Sequence, residues 1–130
     1  MNAARASLLI CAVALLGVPA EGVDRVRAGQ WETTLNMSGR TVTRSTCLMP
    51  SDAAAINGDA ASIRAYVERV SAPAGCKVTD LKVNSNQVTV TTVCAAGTPN
   101  VGTTTYHGDS WETVNTNGAT AQSKWVGACK

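Results

Sequence analysis

Phenylalanine is absent from this 130-residue chain, and aromatic residues make up only 4% of it. A core built largely from Val, Ala and Thr gains less free energy on burial than one rich in Leu and Phe. Charged residues are scarce as well, at 15%, and the formal net charge is +2. Because no block of basic residues occurs, the chain lacks the clustered cations that displace counterions from phosphates. We therefore expect no nucleic-acid partner.

Histidine occurs once, at His107, in a segment typical of a turn. His107 and Asp109 together fall short of the three or four ligands that a zinc site uses. The chain also has no Gly-x-Ser-x-Gly nucleophile elbow and no phosphate-binding glycine loop after a strand. We therefore expect no metal, no cofactor and no catalytic residue.

The longest apolar run, 8–16, falls well short of the ~20 residues that a membrane-spanning helix requires. Arg5 precedes this run, and the small residues 18–20 follow it, which is typical of a secretory signal peptide. We expect cleavage after Ala20, giving a signal peptide over 1–20 and a single domain over 21–130. The mature protein would then be periplasmic or secreted, with no stable membrane anchor.

Four of the five cysteines lie beyond the expected cleavage site: Cys47, Cys76, Cys94 and Cys129. An even number of cysteines in a small exported domain indicates disulfides, which leaves no thiol for metal binding or nucleophilic attack. Four cysteines allow three pairings. We favour Cys76 with Cys94 and Cys47 with Cys129.

Most of the mature chain alternates with period two, which predicts strands. Trp31, Thr33, Leu35 and Met37 share one face of the first strand, and a turn at 38–39 leads to a returning strand over 40–48. A turn at 85–86 pairs 83 with 88 and 81 with 90, and a bulge near 79–80 would place the second and third mature cysteines opposite each other. Three further strands are predicted over 101–106, 110–116 and 119–126.

A helical pattern interrupts the strands after the second one. Ser51 is expected to cap a short turn, Gly58 and Asp59 interrupt the pattern, and a second helix follows. Its inward stripe is expected to consist of Ile63, Tyr66, Val67 and Val70. The fold class is therefore mainly β: about seven strands in a curled antiparallel sheet, with one helical insertion and two disulfides. A half-barrel and a small barrel both fit this pattern.

Five short motifs occur in order along the chain: Gly29-Gln30-Trp31-Glu32, Cys47-Leu48 before Pro50, Gly75-Cys76-Lys77-Val78 leading to Cys94, the segment 106–110 with the sequence Tyr-His-Gly-Asp-Ser, and a terminal Cys129. In this ordered set the chain resembles the domain of unknown function 3617 family of small exported bacterial proteins. The resemblance implies a periplasmic or secreted β-rich domain with the four cysteines bridged. It implies no activity and no ligand-binding residue.

Two function hypotheses follow. In the first, the domain is a non-catalytic binding or accessory protein of the cell envelope, which holds an apolar small molecule or a protein. Its ligand groove would involve Trp31, Glu32, Trp111 and Trp125. In the alternative, a small hydrolase-like enzyme draws an acid-base pair from Glu32, Asp109, Glu112 or His107, which requires two of them to converge in one cleft.

Overall fold

The computed structural model describes residues 24–95 and 97–130, so the expected signal peptide lies outside the described residues. The described residues form one antiparallel sheet of seven strands in the order β2-β1-β7-β6-β5-β4-β3. The strands are β1 (Gly29–Met37), β2 (Arg40–Leu48), β3 (Lys77–Asn84), β4 (Gln87–Val93), β5 (Pro99–Tyr106), β6 (Ser110–Asn115) and β7 (Thr120–Gly127). The mainly β fold class is confirmed.

The sheet is open and not closed into a barrel, because β2 and β3 form its two edges. Five hairpins connect consecutive strands, and one long-range pairing joins β1 to β7. That pairing contains an irregularity between Gln30 and Trp31, after which Trp31 lies opposite Trp125. The pairing of β1 with β7 thus joins the first hairpin to the C-terminal meander.

The hairpin of β3 and β4 has the predicted register, with Leu81 opposite Val90 and Val83 opposite Val88. The predicted bulge is present as well, since the register shifts between Val78 and Asp80. Beyond it Lys77 pairs with Val93, which places the preceding and following cysteines opposite each other.

Both favoured disulfides are confirmed. Cys76 is bonded to Cys94 within this hairpin, and Cys47 at the end of β2 is bonded to Cys129 after β7. The Cα atoms of the second pair are 5.5 Å apart, a normal separation for a disulfide. One bridge therefore closes a local hairpin, whereas the other ties the edge strand β2 to the C-terminal segment.

The helical insertion contains two helices, α1 (Pro50–Ile56) and α2 (Ala60–Ser71), and a 3-10 turn (Ala72–Ala74). The predicted cap at Ser51 is wrong, because α1 begins at Pro50 and its N-cap, Met49, makes no side-chain hydrogen bond. Proline suits this first position, since its missing N–H would have no partner within the helix. The side chain that caps a helix is Asp59, which accepts a hydrogen bond from Ser62 N at the start of α2.

The inward stripe of α2 is shorter than predicted. Ile63 is almost fully buried, whereas Val70 is 53% exposed and therefore does not belong to the stripe. Arg64, also in α2, forms an ion pair with Glu68 four residues later, at 2.9 Å. The Arg64 guanidinium also donates a hydrogen bond to Val78 O of β3, at 3.0 Å.

A buried arginine connects the helices to the sheet. Arg25 is only 3% exposed, and its guanidinium donates hydrogen bonds of 2.8 to 3.0 Å to Ile56 O, Gly58 O and Ser85 O. These carbonyls lie at the end of α1, in the α1–α2 connection and in the β3–β4 turn. Asn57 reinforces the contact, since its side-chain oxygen accepts from the backbone N–H groups of 25 and 26 and its amide donates to the carbonyl of 26. We call this set of bonds the Arg25 anchor.

Candidate functional site

The two helices cover one face of the sheet, which we call the helix-covered face; the opposite face is the open face. Between the helices and the sheet lies a groove with two adjacent compartments, each of about 220 Å³. Five residues line both compartments: Ile56, Tyr66, Thr104, Tyr106 and Thr113. The compartments are therefore neighbouring parts of one groove, and Tyr66 and Tyr106 stand at their junction.

The first compartment lies over β1, β2 and β6. Trp31 and Trp111 form its aromatic wall, Leu48 its apolar edge, and Thr33 and Thr46 add hydroxyl groups. Trp31 is buried, whereas Thr46 on the edge strand is exposed, so this compartment opens towards β2.

The second compartment lies under α2. Its walls are the aliphatic side chains of Ile63 and Val67 from the helix and of Val88 and Val90 from β4, with Asn100 and Asn115 at one side. No described residue that lines either compartment carries a formal charge at neutral pH. The groove is thus predominantly apolar and aromatic, with a few hydroxyl and amide groups.

The two tyrosines provide polar groups inside this apolar surface. Burial raises the pKa of Tyr106 to about 12, with the Tyr66 side chain adding to the effect and Arg25 opposing it. Burial also raises the pKa of Tyr66, and Asp52 contributes in the same direction while Arg69 opposes it. Both phenols therefore stay protonated at neutral pH and can donate or accept a hydrogen bond. Neither hydroxyl is bonded to another residue of the described part of the chain.

The segment before β1 holds two tryptophans in place. Trp31 Nε1 donates to Arg27 O at 3.0 Å, and Trp125 Nε1 donates to Ala28 O at 3.1 Å. The Arg27 guanidinium lies over the Trp125 ring, 3.6 Å from its centroid. Trp125 packs against the core cluster but lines neither compartment, so it supports the wall that Trp31 forms.

Glu32 lies on the open face, whereas the Trp31 side chain lies in the groove. Adjacent residues of a strand point to opposite faces, so Trp31 in the groove requires its neighbour to point away from it. Glu32 Oε1 is 3.8 Å from Lys124 Nζ, which belongs to the directly opposed residue of β7. Of the four residues proposed for the groove, Trp31 and Trp111 line its first compartment, and Trp111 also borders the open-face depression that Glu32 lines.

The open face has its own depression, of about 430 Å³, where the residues proposed for an acid-base pair partly converge. Glu32, His107 and Glu112 line it, whereas Asp109 pairs with Arg27 at 3.2 Å outside it. His107 Nε2 lies 3.8 Å from Glu112 Oε1, and both side chains are more than half exposed. Solvent therefore screens these groups.

Sequence reasoning missed several residues that define the groove. The segment 21–28 has no periodicity, so it gave no sign that Arg25 and Val26 enter the core and hold the helices against the sheet. Tyr106 precedes a turn, where a tyrosine is ordinary. Its alternation with Thr104 along β5 was the available signal that both residues share a face.

A family model described as "Protein of unknown function (DUF3617)" matches residues 26–129. The match includes both disulfides, the helical insertion and all the strands. No curated protein and no solved structure matches the chain.

Proposed function

Because the chain belongs to the DUF3617 family of proteins of unknown function, we propose its function from the groove: it is a non-catalytic binding or accessory domain of the cell envelope that holds an apolar small molecule. The observation that carries this proposal is the pair of adjacent compartments between helices and sheet. Small-molecule sites are typically concave and mostly apolar, with a few placed polar groups. The hydroxyls of Tyr66 and Tyr106 are such groups.

The size of the groove supports an occupant that uses both compartments. Ligand pockets usually measure about 300 Å³ or more, and each compartment alone, at about 220 Å³, is smaller. An occupant of both compartments requires Tyr66 and Tyr106 at the junction to move aside by side-chain rotation. One molecule would then contact the aromatic wall of the first compartment and the aliphatic wall of the second.

Location in the cell envelope rests on two disulfides, which persist in oxidising compartments and are rare in the cytosol. The apolar segment expected to be a signal peptide adds to this. Within residues 24–95 and 97–130, no helix is long and apolar enough to cross a membrane.

A protein partner is a second candidate, favoured by the free edge of the sheet. One side of β2 pairs with β1, and the strand is exposed over most of its length. Such an edge can accept an extended peptide as an additional strand. The residues proposed for an acid-base pair in the open-face depression are about half exposed to solvent, and this exposure favours a non-catalytic role.

The test blocks the groove at its exposed end. In Thr46→Trp the indole would occupy the mouth of the first compartment, and Thr43→Trp is the matched control, because Thr43 is equally exposed on the same strand but lies on the open face. Native mass spectrometry of protein exported to a bacterial periplasm should show a retained small molecule in the wild type and in Thr43→Trp. Its loss in Thr46→Trp is expected.

An unliganded wild-type protein that also fails to bind added apolar compounds would refute the proposal. Equal retention of the molecule by both tryptophan variants would place the site elsewhere. A co-purifying protein that Thr43→Trp and Thr46→Trp both displace would favour the β2 edge instead.

A further inference from the structure

The first compartment opens next to Arg44, which has no ion-pair partner among residues 24–95 and 97–130. Arg44 lies opposite Thr33 in the β1–β2 register, and Thr33 lines the compartment. Thr46, which also lines it, follows Arg44 by two residues, or about 6.8 Å along the strand. Because the side-chain period of a strand is two, Arg44 and Thr46 point to the same face. The guanidinium is therefore carried beside the mouth of the groove.

This cation is available to a ligand. Arg44 is exposed, and within the described residues no carboxylate lies within ion-pair distance of it. Arg64, Arg69 and Arg27, by comparison, are each paired with a carboxylate. The groove walls supply no acidic group either. Arg44 thus places one positive charge beside an apolar interior.

The shape of the groove selects an elongated occupant. Its walls extend from β2, which contributes Thr46, across the sheet to β4, which contributes Val88. Five interstrand steps separate these strands in the sheet order, which corresponds to about 24 Å along the sheet surface. A compact molecule would occupy one compartment, whereas a narrow chain can run through both.

We propose that the ligand is a free anionic amphiphile with a single aliphatic chain, whose chain lies in the two compartments and whose head group binds Arg44. This inference rests on the proposed function and adds the ligand's charge and its orientation. The guanidinium can bind a carboxylate through two parallel hydrogen bonds. The tail contacts the aromatic wall first and the aliphatic wall beyond Tyr66 and Tyr106.

The test compares three probes with the same chain length: dodecanoate, 1-dodecanol and dodecyltrimethylammonium. Binding to the purified, oxidised protein is measured by calorimetry below the concentration at which each probe forms micelles. Dodecanoate should bind about fivefold more tightly than dodecanol, the factor expected for one exposed ion pair. The cationic probe should bind most weakly.

Two variants locate the effect. Arg44→Gln should reduce the affinity for dodecanoate to that for dodecanol and leave the affinity for dodecanol unchanged. Arg40→Gln is the control, because Arg40 lies on the same face of β2 four residues farther from the mouth and also has no described carboxylate partner. It should behave as the wild type.

The outcomes separate this inference from the proposed function. Equal affinity for all three probes, or no effect of Arg44→Gln, would refute the anionic ligand and leave the groove as a binding site. Failure of every probe to bind would refute both. Binding to anionic vesicles without binding of monomeric dodecanoate would assign the ligand to a membrane surface and overturn the proposal.

Discussion

Replacing Arg25 tests whether one buried side chain holds the helices over the groove. In Arg25→Met the three carbonyls of Ile56, Gly58 and Ser85 lose their donor. Hydrogen bonds from a charged group contribute about 1.5 to 3 kcal/mol each. Burial of an unpaired guanidinium itself costs several kcal/mol, which the substitution removes. We therefore expect a net destabilisation of about 3 kcal/mol, less than the sum of the three bonds.

The assay is urea unfolding of the oxidised protein, with Arg40→Met as the control for the same chemical change at an exposed position. The control should stay within about 0.5 kcal/mol of the wild type. Hydrogen exchange adds a local measurement, the free energy of opening at each amide. In Arg25→Met this free energy should be lowest for the amides of α1, α2 and the β3–β4 turn, whereas amides of β1 and β7 should open only with global unfolding.

Two results would refute this reasoning. A loss below about 1 kcal/mol in Arg25→Met would mean that water or rearranged carbonyls replace the guanidinium without cost. Equal free energies of opening for the helix amides and for the amides of β1 and β7 would mean that the helices open only when the whole domain unfolds, so that they have no separate attachment.

Three further predictions concern the rest of the domain. Replacing Cys47 and Cys129 by serine should destabilise the protein more than replacing Cys76 and Cys94. The two disulfides span 82 and 18 residues, and these spans correspond to chain-entropy contributions of about 4.5 and about 3 kcal/mol. Equal decreases of the thermal midpoint in the two double variants would contradict this. The pKa of Tyr106 is raised to about 12 in the fold, so stability should be unaffected below pH ~10 and should fall as the pH rises towards 12. Urea unfolding should be measured between about pH 8 and about pH 11.5, the range around the usual pKa of a tyrosine. Over this range the free energy of unfolding should fall less in Tyr106→Phe than in the wild type. An equal fall in both proteins would rule out Tyr106 as the cause. Gly29→Ala should destabilise strongly, because Gly29 has φ +139° and an added Cβ would meet Trp125 Nε1 and Gly127 O; a thermal midpoint equal to that of the wild type would show that the strand start can move.

The parts of the fold that local sequence determines were predictable. The register of Val83 with Val88 follows from a two-residue turn and period-two alternation, and the bulge follows from bringing Cys76 opposite Cys94. The open sheet could not be distinguished from a barrel, because closure depends on whether two edges far apart in sequence meet. Strand alternation places Trp31 and its neighbour Glu32 on opposite faces of β1, although the sequence-based hypothesis assigned both residues to one groove.

The contacts that shape the site are mostly non-local, which explains why they escaped sequence reasoning. Arg25 bonds to carbonyls 31 to 60 residues away, and any exposed arginine in an aperiodic segment has the same local sequence signature. Val70 has the spacing of the inward stripe, yet its side chain is exposed. Periodicity predicts which side of a helix or strand is apolar, but it does not predict how much of that side the rest of the fold covers.

A domain without phenylalanine can keep a groove that its own side chains do not fill, because its stability comes from contacts outside the groove. The long disulfide ties β2 to the C-terminus, the short one closes the hairpin of β3 and β4, and the Arg25 anchor holds the helices between these points. None of the three requires close packing between Tyr66 or Tyr106 and the sheet. A bound ligand would therefore add stability to a frame that is already fixed, by about 2.7 kcal/mol at a concentration 100 times Kd. For this reason the groove is better suited to reversible binding than a groove whose formation depends on its ligand.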